Sequence, residues 1–160
     1  MPTGAGFRSG RLSIDYDNGG GVNVSAVRDL QAVATNRAYL SIFDSEFGGC
    51  DDTCNPYFFG TIGVGMTIER TFRVVNNGAV ATTSIVDGGA LLYPFSYKNS
   101  SFPGTGGTCT GTVASGTTCT LVLIFGPGIA GTFPGTVDLT YQDGLGATQS
   151  TRRRMSGTGQ

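Results

Sequence analysis

The sequence contains no histidine, no tryptophan and a single lysine, Lys98. Without histidine, the Ser-His-Asp and Cys-His arrangements of nucleophilic catalysis are excluded. Charged residues make up 13% of the chain, about half the usual share. The net charge of −1 leaves no broad basic surface, so nucleic acid is not an expected partner. Long apolar runs are missing as well. The longest, Leu121 to Phe125, has the length of a strand, and membrane insertion is not expected. Met1-Pro2-Thr3-Gly4 has neither the basic start nor the apolar stretch of an export signal, so any such signal is expected upstream. The few carboxylates are scattered, with no pair marked out for glycoside chemistry. Gly104-Thr105-Gly106-Gly107 lacks the Lys-Ser/Thr and the helix of a phosphate loop.

What is abundant is glycine, 27 residues in 160, among short runs of alternating apolar and polar side chains. Leu12, Ile14 and Tyr16 alternate with Arg11, Ser13 and Asp15, and Val137, Leu139 and Tyr141 alternate with Thr136, Asp138 and Thr140. Both stretches read as half-buried strands. They end in Asp17-Asn18-Gly19 and Gln142-Asp143-Gly144, strong hairpin signals. The two belong to a longer match. Residues 2–34 laid on 127–159 without a gap agree at nine of 33 positions, Gly10/Gly135, Tyr16/Tyr141 and Arg28/Arg153 among them. Glycine bias alone gives roughly three, so the match reads as an internal repeat. It assigns 1–34 as a hairpin like the end of a preceding repeat and 35–160 as the main domain. "VNVSAVRDLQAV" at 22–33 also has helical spacing, but its counterpart "ATQSTRRRMSGT" is poor helix, and both are read as strands.

Further strands are expected at "AYLSIF" (38–43), "IERTFRVVNNG" with Ile68, Phe72 and Val74 on one face, "AVATTSIV", "PFSYK", and "CTLVLIF" with Cys119, Leu121, Leu123 and Phe125 on one face. Many short strands with frequent turn signals indicate an all-β antiparallel sandwich.

The four cysteines, Cys50, Cys54, Cys109 and Cys119, allow three pairings. Cys109 and Cys119 flank "TGTVASGTT" and could face each other across a hairpin, where a disulfide contributes about 2.8 kcal/mol by loop entropy. Cys50 and Cys54 close a tight ring worth about 2 kcal/mol before strain. Free thiols and a four-cysteine zinc site are the alternatives, although nine residues between Cys109 and Cys119 exceed usual ligand spacing. Disulfides imply an oxidising compartment. Asp44, Glu46, Asp51, Asp52 and Asn55 gather around the first cysteine loop and could supply oxygens to calcium; a solvated polar loop is the plainer reading. No other cofactor is expected. Arg152, Arg153 and Arg154 lie on a strand, so two should face solvent and one the partner face or sheet edge, where charge guards against mispairing. Nothing marks Lys98 for an isopeptide cross-link, and "NVS" at 23–25 and "NSS" at 99–101 fit the N-glycosylation pattern.

"FGTIGVGMTIERTFRVVNNG", "SGTTCTLVLIFGPGIAGTFPGTVDLTY" and "SGTG" together resemble the ASH-type immunoglobulin-like repeats of bacterial surface proteins, in particular the choice-of-anchor D group. The resemblance covers about 56–159, and 2–34 match the tail of a preceding copy. It implies a seven-stranded immunoglobulin-like sandwich, tandem arrays, export and no catalysis. "GGCDDTCN" before Tyr57 and the basic "RRR" depart from that pattern. The expected function is a non-enzymatic structural module of an exported surface protein or fibre: a spacer, an adhesin, or an element of head-to-tail assembly. Assembly would use Leu12, Ile14, Tyr16, Val22 and Val24 of the first hairpin, with neighbouring copies of the repeat or chain as partners. A glycan- or protein-binding module using loops 44–55 and 98–108, on a host or cell surface, is one alternative. A cytoplasmic ASH-type scaffold is the other. The expected location is extracellular or cell-surface.

Overall fold

The computed structural model describes residues 6–21, 23–34, 36–44 and 55–160, apart from the side chains of residues 6, 7, 33 and 34. The chain divides into two compact units, Met1–Asn36 and Arg37–Gln160.

Among its described residues, the first unit is one antiparallel hairpin of β1 (Gly6–Asp17) and β2 (Asn23–Ala34), paired without interruption from Gly6↔Ala34 to Asp17↔Asn23. Directly opposed residues share a face. One face carries Leu12, Ile14, Tyr16, Val24, Ala26 and Leu30 with Arg28. The other carries the Arg11–Asp29 ion pair (2.9 Å) and a hydrogen bond from the Ser25 hydroxyl to Asp15.

The second unit is a sandwich of two four-stranded sheets among the described residues. One sheet runs β3 (Leu40–Asp44), β5 (Ile68–Asn76), β8 (Thr118–Phe125), β7 (Phe95–Tyr97). The other runs β4 (Tyr57–Ile62), β10 (Thr148–Gly159), β9 (Gly131–Gln142), β6 (Thr83–Asp87). The sandwich expectation holds, with two corrections. Eight strands form where seven were expected, because the segments on either side of 45–54 join different sheets, β3 beside β5 and β4 beside β10. The pairing is also not wholly antiparallel. β4 lies parallel to β10, which is possible because most of the chain separates them and no hairpin constrains their direction.

Alternation decides which side chains enter the core. Phe72 and Val74 of β5, and Cys119, Leu121, Leu123 and Phe125 of β8, are buried as expected. Val122 is buried too, although it points the other way, because the 101–107 loop covers it: the Val122 N–H donates to the Pro103 carbonyl (2.9 Å). Phe59 of β4 meets Phe72, Phe95 and Phe125 of the facing sheet at ring-centroid distances of 6.0, 5.5 and 6.0 Å, so aromatic contacts join the two layers. The glycines of the last hairpin make room for these rings. A Cβ on Gly135 would lie 2.6 Å from Phe95, and one on Gly157 2.6 Å from Phe125.

Asn76 fastens the end opposite this aromatic cluster. Its side-chain amide donates to the carbonyls of Val80 (2.8 Å) and Val113 (3.0 Å), and its oxygen accepts the N–H groups of Gly78 (2.9 Å) and Tyr39 (3.2 Å). The residue is fully buried with all four bonds made, and it joins β5 to three separate loops. Gly78 must lack a side chain because a Cβ there would lie 2.2 Å from the Arg37 carbonyl oxygen. Asn76→Ala strands several buried polar groups at once and is expected to cost about 3–5 kcal/mol, read as a lower urea midpoint at an unchanged slope.

Candidate interaction hairpin and the buried arginine

Of the three consecutive arginines, Arg152 and Arg154 face outwards and Arg153 enters the sandwich, the alternation expected of a strand. Arg153 is 4% exposed. Its Nη2 lies 3.0 Å from the Oδ2 of Asp44, itself 5% exposed, and its Nη1 donates to the Asn55 carbonyl at 2.7 Å. The pair links β10 to β3 across the two layers. A second polar link runs parallel to it: the Leu40 N–H donates to the Tyr141 hydroxyl (3.2 Å). Burial pushes the Tyr141 hydroxyl's pKa upwards, so it stays a neutral acceptor.

This geometry bears on the calcium expectation. Asp44 and Asn55, two of its five candidates, are directed at Arg153, and Asp44 serves as that cation's counter-ion. Glu46, Asp51 and Asp52 lie outside the described residues, as do Cys50, Cys54 and Val22. Cys109 and Cys119 form a buried disulfide with Cα atoms 4.8 Å apart. It ties a loop to β8 rather than strand to strand across a hairpin, and it removes two of the four ligands that a zinc site would need. Lys98 pairs with Glu69 at 2.8 Å. The 98–108 loop is held to itself by the Asn99 amide donating to the Thr105 hydroxyl (2.8 Å) and Gly104 N–H to the Ser101 carbonyl (2.7 Å).

A shallow groove of about 680 Å³ is lined by Pro56, Leu92, Pro134, Asp138, Arg152 and Arg154, among others. Its one carboxylate, Asp138, has a raised pKa, chiefly through burial and against the opposing pull of Arg152. Thr136 is its other polar lining residue besides the two arginines, and no second carboxylate, cysteine or lysine is among its lining residues.

The assembly candidates Leu12, Ile14 and Tyr16 lie on one face of the first hairpin, with Val24 opposite Tyr16. They are arranged as their counterparts in the sandwich are. Leu12 pairs with Arg28 as Val137 pairs with Arg153, and the register agrees along the whole length. The turns agree as well. Gly19 and Gly21 take φ of 84° and 75°, and Gly144 and Gly146 take 80° and 89°. The Asn18 side chain accepts the Gly20 N–H at 2.9 Å, and Asp143 accepts the Leu145 N–H at 2.9 Å. The difference is exposure. Leu12, Ile14, Tyr16 and Leu30 are 50–56% exposed, whereas Val137, Leu139, Tyr141 and Met155 are at most 2% exposed.

Sequence reasoning placed the strands and turns of this site but missed the partner of Arg153. Asp44 had been grouped with its neighbours in sequence, and its counter-ion lies 109 residues away. Asn76 is not singled out by the sequence reading; the signal available was an asparagine ending an alternating apolar strand two residues before a glycine.

No family model matches the chain, and no curated protein matches it. The choice-of-anchor D resemblance therefore has no support at the level of sequence. Among solved structures, the VesB protease of Vibrio cholerae superposes with a TM-score of 0.53 at 16% identity, over 74% of this chain and 31% of that one. The ASH/PapD-like domain 7 of human CEP192 gives a TM-score of 0.49 at 15% identity, over 79% of this chain and 87% of that one. This chain thus spans under a third of the length of the protease it matches, and what that likeness shows is the fold alone, the two-layered β-sandwich described above. No helix among the described residues is long and apolar enough to cross a membrane.

Two outcomes test the geometry. Arg153→Met leaves Asp44 buried without its cation and is expected to cost about 3–5 kcal/mol; adding Asp44→Leu is expected to recover most of that loss. The Asp143 carboxyl is held below the usual carboxylate range by the Leu145 N–H first, then by Ala147 and Arg37. A depressed folded-state pKa stabilises above the unfolded value and is lost as pH falls through the folded one. Asp143→Asn, which keeps the acceptor that Asn18 supplies in the first hairpin, is therefore expected to flatten the acid limb of a melting-temperature profile while leaving the turn intact.

Proposed function

We propose that this chain is a non-catalytic structural module of an exported protein, an immunoglobulin-like link in a tandem array that acts as a spacer or assembly element at the cell surface. One observation carries the reading: the buried polar groups, close-packed glycines and bonded cysteines of the described sandwich hold it together. Asn76 and Gly78 secure loops, Gly135 and Gly157 admit aromatic rings, Arg153 pairs with Asp44 across the layers, and Cys109 is bonded to Cys119. The disulfide favours an oxidising compartment and export over a cytoplasmic scaffold. The match between residues 2–34 and 127–159, in sequence and in register, supports a tandem array in which 1–34 close a preceding unit. Calcium or a glycan as ligand of loops 44–55 and 98–108 would mark a binding module instead and would raise the melting temperature when added.

The test is a thiol count on native material, with and without denaturant, followed by melting under reducing conditions. No reactive thiol at Cys109 or Cys119 and a loss of about 3 kcal/mol on reduction are expected. Two titratable thiols there in protein taken directly from cells would place the module in a reducing compartment and overturn export.

A further inference from the structure

The β1–β2 hairpin reproduces β9–β10 in register, turn and facing, yet its side chains differ at telling positions. Those differences describe what covers it.

Gly10 corresponds to Gly135. In the sandwich that glycine is required, since a Cβ would lie 2.6 Å from the Phe95 ring; at Gly10 a Cβ would meet nothing within 4 Å. Gly10 has no positive φ to explain it either. Nothing within the hairpin calls for glycine there, at a strand position where glycine is costly. Arg28 corresponds to Arg153 and lies, exposed, in the middle of an apolar face, with no carboxylate partner among the described residues. Tyr16 corresponds to Tyr141, whose hydroxyl accepts a backbone N–H from the facing sheet. These three residues are the complement of a covering sheet that bears a ring, a carboxylate and a free N–H.

Ala32 breaks the equivalence. Its counterpart is Gly157, where a Cβ would lie 2.6–2.8 Å from three atoms of the Phe125 ring. A sheet with phenylalanine at that place, as this chain's own β8 has, cannot receive Ala32 without displacing the ring.

We propose that the open face of the β1–β2 hairpin docks on the inner sheet of an immunoglobulin-like sandwich that lacks its own last hairpin and is not a second copy of this chain. That sheet carries a buried carboxylate opposite Arg28, an aromatic ring over Gly10, and a side chain smaller than phenylalanine opposite Ala32. The hairpin completes the sandwich as β9–β10 complete theirs: β2 takes a parallel edge strand where β10 takes β4, and β1 an antiparallel one where β9 takes β6. The proposal rests on the structural-module reading, and the two fail separately, since the thiol count is indifferent to what the hairpin binds.

The test uses the full chain as donor and, as the probe, residues 36–130 of the same sequence, a sandwich without its last hairpin. The probe is prepared with the native Phe125 and as Phe125→Leu. Each is refolded alone, with a peptide of residues 127–160 as the competence control, and with the full chain, and the mass of the products is read by light scattering. The expected result is a one-to-one complex of the full chain with the Phe125→Leu probe, at least about tenfold tighter than with the native probe, and weakened about tenfold or more by Arg28→Ala in the donor. Equal binding of both probes would make a second copy the occupant and overturn the proposal. No binding of either probe, when the 127–160 peptide completes them, would overturn it as well, as would indifference to Arg28→Ala.

Discussion

A two-stranded ribbon with one apolar face has no means of covering that face by itself. Everything in the sandwich follows from how β9–β10 meet this constraint. Their inner face, with Val137, Leu139, Tyr141 and Met155, is at most 2% exposed because the β3-β5-β8-β7 sheet lies over it. Close approach of the layers demands glycine at 135 and 157, where the rings of Phe95 and Phe125 press against the backbone. The same approach encloses Arg153 and obliges Asp44 to sit opposite, because a buried cation without a partner is not tolerated. The ion pair thus fixes the alignment of the layers more than it adds to their stability, as buried pairs generally do little better than apolar replacements.

The first hairpin has the same ribbon and leaves the constraint unmet. One face is laced by Arg11 on Asp29 and Ser25 on Asp15, with Val27 half exposed among them. Its other face keeps Leu12, Ile14, Tyr16 and Leu30 about half exposed around Arg28. The turn chemistry at Asn18 and Asp143, with left-handed glycines at matched places, gives the two ribbons the same shape.

Much of this was legible in the sequence because strand alternation and turn residues are local signals. The pairing of Tyr16 with a turn at Asn18-Gly19, the inward face of "CTLVLIF", and the single inward arginine of "RRR" all follow from a period of two. What was not legible depends on distant partners. Asp44 looked like part of an acidic loop until β3 was placed under β10. β4 was not among the expected strands, and nothing in "YFFGTI" announces that it runs parallel to the end of the chain. Val122 reads as an outward residue of β8, and only the return of the 101–107 loop buries it. Asn76 carries no charge and little hydrophobicity, so neither patterning nor composition ranks it; its weight comes from four bonds to segments that are near only after folding.

Amide hydrogen exchange on the full chain alone tests the central claim most directly, because the two hairpins share register and turn and differ in whether their apolar face is covered. Protection follows covered structure rather than hydrogen-bond pattern alone. The account predicts slow exchange through the paired amides of β9–β10 and fast exchange through those of β1–β2, with β1–β2 becoming slow only when an incomplete sandwich is supplied. Equal protection of the two hairpins in the isolated chain would mean that the first is already covered, and would contradict the claim that it is a preformed sandwich edge awaiting another sheet.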